Sequence, residues 1–232
     1  MRGGLGVAVL SARAANVRLT PERYTEYATC RGLAIGNRIR GKEAGGMILV
    51  NRDNPIPPDY RDTIEIINVK VEENFSVPLE RETAEKYLEL REHLLSIGIS
   101  VDALSGYRSR RTQERIWNES ISAHGEVHTR RYVAMPGYSE HHTGLAIDLT
   151  LYDARGNAVE DDDFEAFEQL APHIHKYGFI LRYPAGKEDV TGYSFEPWHI
   201  RYVGIEAARE IYESGLTLEE YVSCACEEFG AQ

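Results

Sequence analysis

"SEHHTGLAID", residues 139–148, sets a serine, two histidines, a threonine and an aspartate around a glycine and an alanine, then runs into an apolar strand. From Gly144 the residues alternate: Leu145, Ile147 and Leu149 point one way, while Gly144, Ala146 and Asp148 point the other. The apolar set belongs on a core. The second set carries one carboxylate, approached over two very small residues that leave space above a sheet. His141 stands just before the strand, where a turn can bring its ring back beside Asp148. Imidazole and carboxylate are both good ligands for Zn2+.

A metal held this way needs a third protein ligand, with a fourth position open if the site is catalytic. The stretch "EPWHIRYV", residues 196–203, offers one. His199 alternates with Trp198 and Ile200, so it faces away from their apolar side. Glu196 lies three residues earlier, across a proline that favours an extended backbone, and can reach the side of His199 without taking its place. Two histidines, an aspartate and a spare glutamate are the parts of a zinc hydrolase. Taken singly, each reads equally well as an ordinary polar residue near a sheet edge. Composition and spacing name no substrate.

The remainder of the chain sets bounds on that reading. Its 232 residues suffice for one sizeable domain with a real core, or for a domain plus an appendage. Hydrophobic residues make up 42% and charged residues 27%, as in an ordinary globular protein. The net charge of -11, without a block of lysine or arginine, argues against nucleic acid as the main partner. It leaves room for an anionic small substrate held by a few arginines. No stretch reaches the roughly 18 apolar residues that span a bilayer. The opening "MRGGLGVAVLSARAA" is too short in its apolar run and too rich in glycine to read clearly as a secretory signal. Cys30, Cys224 and Cys226 are odd in number and form no zinc-ligand spacing, so they read as incidental.

Local signals outline an N-terminal extension over 1–46 and one domain over 47–232. The extension holds an expected helix, with Thr20 as N-cap, Pro21 at the first position and Gly32 as the stop, followed by a linker. "MILVNRDNPIPPDY", from residue 47, reads as a short strand closed by prolines. Residues 79–98 read as a helix ended by Gly98, with Ala84, Leu88 and Leu95 on its apolar face. "ISVDALSGYRS" is an expected strand running into a turn, and a helix ended by Gly125 follows. A third helix is expected over "DDDFEAFEQLAPHIHKYG", residues 161–178, with an acidic first turn, then strands over "GFILRYP" and "EPWHIRYV", then two closing helices. Helices and strands alternate without a strict βαβ repeat, which predicts an α+β fold.

The residues also carry a resemblance. Ser139-x-His141-x-x-Gly144-x-Ala146-x-Asp148, followed by Glu196-Pro197-Trp198-His199, resembles the VanY-type D-alanyl-D-alanine carboxypeptidases, zinc metallopeptidases related to the VanX dipeptidases and the L-Ala-D-Glu endopeptidases. "SGYRS" with Gln113, "HKYGFILRYPAGKEDVTGYSFEPWHIRYVG" and "LTLEEY" are similar to that family in the same order, over about 47 to 222. The resemblance implies a small, mostly antiparallel sheet carrying the zinc site and flanked by helices. It implies His141, Asp148 and His199 as zinc ligands, Glu196 as general base, and Arg108 beside the scissile carbonyl. Ser139 and Gln113, with Arg108, are similar to residues that bind the terminal carboxylate or peptide end of the substrate. His142 departs from the pattern, since related sequences more often carry an amide there.

The activity so implied is zinc-dependent hydrolysis of the terminal D-Ala-D-Ala bond of peptidoglycan stem peptides or precursors. The implied setting is the cell envelope or the outer side of a bacterium, with a monomer favoured. An L,D-carboxypeptidase, a D,D-dipeptidase or an endopeptidase would use the same zinc centre, and a wall-binding module could keep the fold without the activity.

Overall fold

The computed structural model describes residues 47–160 and 163–227, the last three of these by backbone alone. The expected N-terminal helix, the linker and Cys30 lie outside the described residues. Among the described residues, a 3-10 turn (Tyr60–Thr63) leads into a hairpin of β1 (Ile66–Glu72) and β2 (Phe75–Glu80), then α1 (Arg81–Ser96), β3 (Ser100–Ser105), α2 (Arg110–His124) and α3 (Glu126–Tyr132). After a 3-10 turn over Glu140–Thr143 come β4 (Ala146–Tyr152), the short helices α4 (Phe164–Glu168) and α5 (Ala171–Ile174), and β5 (Phe179–Tyr183). A one-turn α6 (Glu188–Thr191), β6 (Glu196–Tyr202), α7 (Ile205–Ser214) and α8 (Leu218–Glu227) complete it. The main sheet has the order β3-β4-β6-β5, and its pairs and the hairpin are all antiparallel. The α+β class and the antiparallel sheet expected from the sequence are what the fold contains.

Alternation along the strands gives this sheet two different faces. One face turns Val101, Ala103, Ile147, Leu149, Leu151 and Ile200 into the larger core, closed by Val69, Val77 and Leu79 of the hairpin and Tyr87, Leu90 and Leu94 of α1. The other face carries Ile180 and Val203, packed with Ala207, Ala208 and Ile211 of α7 and Leu218 and Tyr221 of α8. Asp148 and His199 stand on this second face, opposite each other in the β4–β6 register. Gly144 enters β4 with a φ of +74°, and a Cβ there would meet Ile66 Cδ1 at 2.8 Å and the Glu80 backbone nitrogen at 3.0 Å. Only glycine lets the hairpin approach so closely in that conformation.

Several local expectations are corrected. Residues 48–50 form no strand; the Ile48 carbonyl accepts instead from the Arg201 side chain at 2.7 Å, so a buried guanidinium replaces a strand partner. The hairpin β1–β2 was not anticipated, although Val69 and Val71 alternate with Asn68, Lys70 and Glu72 around a turn at Glu73 and Asn74. The expected third helix breaks into α4, α5 and a 3-10 turn, with Pro172 in the first turn of α5 lacking the N–H that a continuous helix would use. On α1, Ala84 is buried as expected, but Leu88 and Leu95 are exposed, at 47% and 43%. The buried stripe is Thr83, Ala84, Tyr87, Leu90 and Leu94, since the hairpin and sheet lie on that side. Leu94→Ala is therefore expected to lower unfolding stability by about 2–5 kcal/mol. Leu88→Ala should change it by less than about 0.5 kcal/mol. Urea denaturation of the two variants measures both.

Candidate metal centre and active site

His141, Asp148 and His199 each offer one ligand atom, and the three atoms lie within 4.8 Å of one another. Two adjacent strands and a turn bring them there. Asp148 on β4 pairs directly with His199 on β6, and the 3-10 turn before β4 folds His141 over them. The two imidazole rings meet edge to face, with centroids 5.0 Å apart.

Each ring is oriented from behind. His141 Nδ1 donates to the Gly106 carbonyl at 2.7 Å, which leaves the lone pair on Nε2, 3.2 Å from Asp148 Oδ2. His199 turns Nδ1 towards Asp148 Oδ1 at 3.0 Å and Nε2 towards Glu140 Oε2 at 3.5 Å. Asp148 Oδ1 is buried and makes no hydrogen bond within the protein, an acceptor suited to a cation. Two imidazoles, each with one ring nitrogen turned to the cluster, and a carboxylate form a donor set that fits Zn2+.

The charges of the site are strongly coupled. Burial pushes the Asp148 carboxyl up, but His141 and His199 outweigh it and hold the group well below the usual carboxylate range. Burial also lowers His141, to about 4, with Arg108 adding to the shift. Burial opposes protonation of His199 as well, yet Asp148 and Glu140 raise it to about 9. Glu196, at the start of β6, is pushed up to about 8 chiefly by burial, with His199 acting against it. Its Oε2 lies 3.8 Å from His199 Nδ1, beside the ligand cluster and outside it.

Arg108 sits in the turn between β3 and α2, immediately before Ser109, whose hydroxyl caps α2 by accepting from the Thr112 N–H at 3.2 Å. Its Nη2 donates to Asp148 Oδ2 and His141 Nε2, each at 2.6 Å, and its Nε donates to Ser105 Oγ at 3.0 Å. Gln113 is buried on α2; its amide oxygen accepts from Arg108 Nη1 at 3.2 Å and its nitrogen donates to the Ala134 carbonyl at 2.8 Å. Ser139 is buried too, with Oγ accepting from the His141 N–H at 3.3 Å, which leaves its own hydrogen to donate. His142 is no ligand: Nδ1 donates to the Arg108 carbonyl at 2.7 Å and Nε2 accepts from the Gly137 N–H at 3.0 Å, bracing the arginine turn.

The structure thus brings the candidate site residues Arg108, Gln113, Ser139, His141, Asp148, Glu196 and His199 into one neighbourhood. Sequence reasoning passed over Glu140, Arg182 and Arg201. Glu140 Oε1 accepts from Arg182 Nε at 2.7 Å and Arg201 Nη1 at 2.6 Å, with all three side chains fully buried. The available signal was the position of Glu140 inside the quoted stretch, between Ser139 and His141, and of Arg201 two residues after His199.

Residues 76–205 match the family model of VanY, D-alanyl-D-alanine carboxypeptidase. A D-alanyl-D-alanine carboxypeptidase of Enterococcus faecalis (strain ATCC 700802 / V583) is 35% identical over 201 residues, covering 82% of this chain and 70% of that one. A vancomycin-resistance D,D-pentapeptidase VanY variant solved in complex with Zn(II) superposes with a TM-score of 0.68 at 35% identity, covering 77% of this chain and 99% of that one. The LD-carboxypeptidase LdcB superposes with a TM-score of 0.66 at 36% identity, covering 75% and 84%. The chain spans 59% to 70% of the length of the curated relatives it matches. Among the described residues no helix is long and apolar enough to cross a membrane. With this match over fold and sequence, the chain belongs to the VanY family of D-alanyl-D-alanine carboxypeptidases, which are zinc carboxypeptidases.

Proposed function

We propose that His141, Asp148 and His199 hold one Zn2+, and that Glu196 uses it to hydrolyse the terminal D-Ala-D-Ala bond of peptidoglycan stem peptides or precursors. The observation that carries this reading is the convergence of three ligand atoms within 4.8 Å beside a buried carboxylate that is not one of them. When bound, Zn2+ acidifies a water and polarises the scissile carbonyl. Glu196 takes the proton of the water and returns it to the departing amine. Arg108 donates to the carbonyl oxygen as that oxygen becomes negative. The Ser139 hydroxyl and the Gln113 amide, with Arg108, border the place of the substrate's terminal carboxylate, where charge-assisted hydrogen bonds are strong.

In this reading 47–232 is the catalytic domain and 1–46 an extension to it. The protein works as a monomer at the cell envelope or outside the cell, where its substrate is. The likeness to an LD-carboxypeptidase supports a second reading, in which the same zinc centre cuts an L,D bond and the pocket walls choose the stereochemistry.

His199→Ala should lose most of its metal, and stoichiometric zinc in that variant at low free metal would overturn the ligand assignment. Glu196→Ala should keep fold and zinc while turnover falls by about 100-fold or more. Near-normal turnover, with zinc content measured on the same sample, would remove Glu196 from the role of base. A peptide ending in D-Ala-D-Ala should be cut at least about 100-fold faster, in kcat/KM, than the same peptide amidated at its end, since donors arranged for a charge are otherwise left unpaired. Arg108→Lys should lower kcat/KM by about ten- to a hundredfold, because lysine cannot present a planar fork. Equal rates for acid and amide would point to an endopeptidase.

A further inference from the structure

We infer that Glu140 is a positioning residue for the metal centre, holding the His199 imidazole in the tautomer that turns Nδ1 to the zinc. The inference rests on the reading of His199 as a ligand and goes beyond it. The two oxygens of Glu140 have separate tasks. Oε1 takes both arginines, Arg182 and Arg201, at 2.7 and 2.6 Å. Oε2 takes no hydrogen bond from them and faces His199 Nε2 at 3.5 Å; both atoms are buried and neither makes a hydrogen bond elsewhere in the protein, so each is the nearest polar partner open to the other. Both ring nitrogens face carboxylate oxygens, which can only accept; a bound Zn2+ would leave the ring's one hydrogen on Nε2, facing Glu140, and take the lone pair of Nδ1. That is the nitrogen 3.0 Å from Asp148 Oδ1.

The arginines are held from their far sides. Arg182 Nη1 and Nη2 donate to Glu219 of α8 at 2.8 and 2.6 Å, and Arg201 Nη2 donates to the Ile48 carbonyl at 2.7 Å. Glu140 therefore cannot rotate away from His199 without giving up two buried ion pairs. The chain places His141, one ligand, and Glu140, the support of another, in consecutive positions of one 3-10 turn.

The test is zinc affinity, measured by competition with a chromophoric chelator, together with the nitrogen-resolved imidazole NMR signals of His199 in the zinc-loaded protein. Glu140→Gln can present an N–H to Nε2 and so favour the wrong tautomer. Its zinc dissociation constant should rise about 10- to 100-fold, with a changed His199 signal. Glu219→Gln loosens only the far end of the network, and should lower Tm while zinc affinity stays as in the wild type. If Glu140→Gln does not fold, Glu140→Asp keeps a charge between the arginines but falls short of His199 by one methylene, and the same measurements apply to it. Zinc affinity within twofold of wild type and an unchanged His199 signal, in whichever of the two variants folds, would overturn the inference. His199→Ala separates the two failures. If it keeps zinc, the ligand assignment is wrong; if it loses zinc while the Glu140 variants keep theirs, only the role of Glu140 is wrong.

Discussion

The ionised carboxylate of Glu140, sealed between Arg182 and Arg201, is the constraint from which the rest of the site follows. Desolvation costs several kcal/mol per ion, and removing one partner from such a pair costs about 3–5 kcal/mol. The cluster therefore persists only because it is closed. Arg182 spans from Glu140 to Glu219, and Arg201 from Glu140 to the Ile48 carbonyl. These contacts tie the 3-10 turn, β5, β6, α8 and the start of the described chain to one point behind His199. The small residue Ala146 acquires its reason here. It pairs directly with Arg201 across β4 and β6, so its short side chain leaves that face of the sheet to the guanidinium.

On the open side of the ligands the electrostatics run the other way. Arg108 neutralises Asp148, and Glu196 has no such cation held against it by a hydrogen bond. Burial above all, with the charges of Asp148 and Glu140 adding to it, raises its proton affinity towards the range in which a carboxylate can both take and return a proton near neutral pH. Asp148, proposed as a ligand, and Glu196, proposed as the base, thus differ through their surroundings. Both are desolvated, but the first has His141, His199 and Arg108 against it, while the second lies at the start of β6 with His199 Nδ1 at 3.8 Å.

Much of the fold was legible where one residue acts through its neighbours in the chain. Leu145, Ile147 and Leu149 alternate with Ala146 and Asp148, and the strand there buries the faces that alternation assigns. Gly98 and Gly125 stop the helices that precede them, both with positive φ. The failures came where a choice depended on distant surfaces. Leu88 and Leu95 sit at helical spacing as plausibly as Leu90 and Leu94, and only the placement of the hairpin and sheet decides which pair is buried. The segment at 48–50 is apolar enough for a strand, but its backbone is satisfied by an arginine 153 residues away. Pro78 lies within β2 and blurred a hairpin whose alternation is otherwise visible.

The sequence by itself determined the chemistry of the centre. The residue types at 141, 148, 196 and 199, their alternation and the glycine at 144 limit what can face one side of a strand pair. Tertiary structure alone decided how those groups are oriented and charged. The tautomer of His141 depends on the Gly106 carbonyl and that of His199 on Glu140, while Gln113 reaches Arg108 from a separate element. Burial, which sets the proton affinity of Glu196, is a sum over the whole fold. Hydrogen-bond partners and desolvation are properties of positions in space, and a chain carries them only once it is folded.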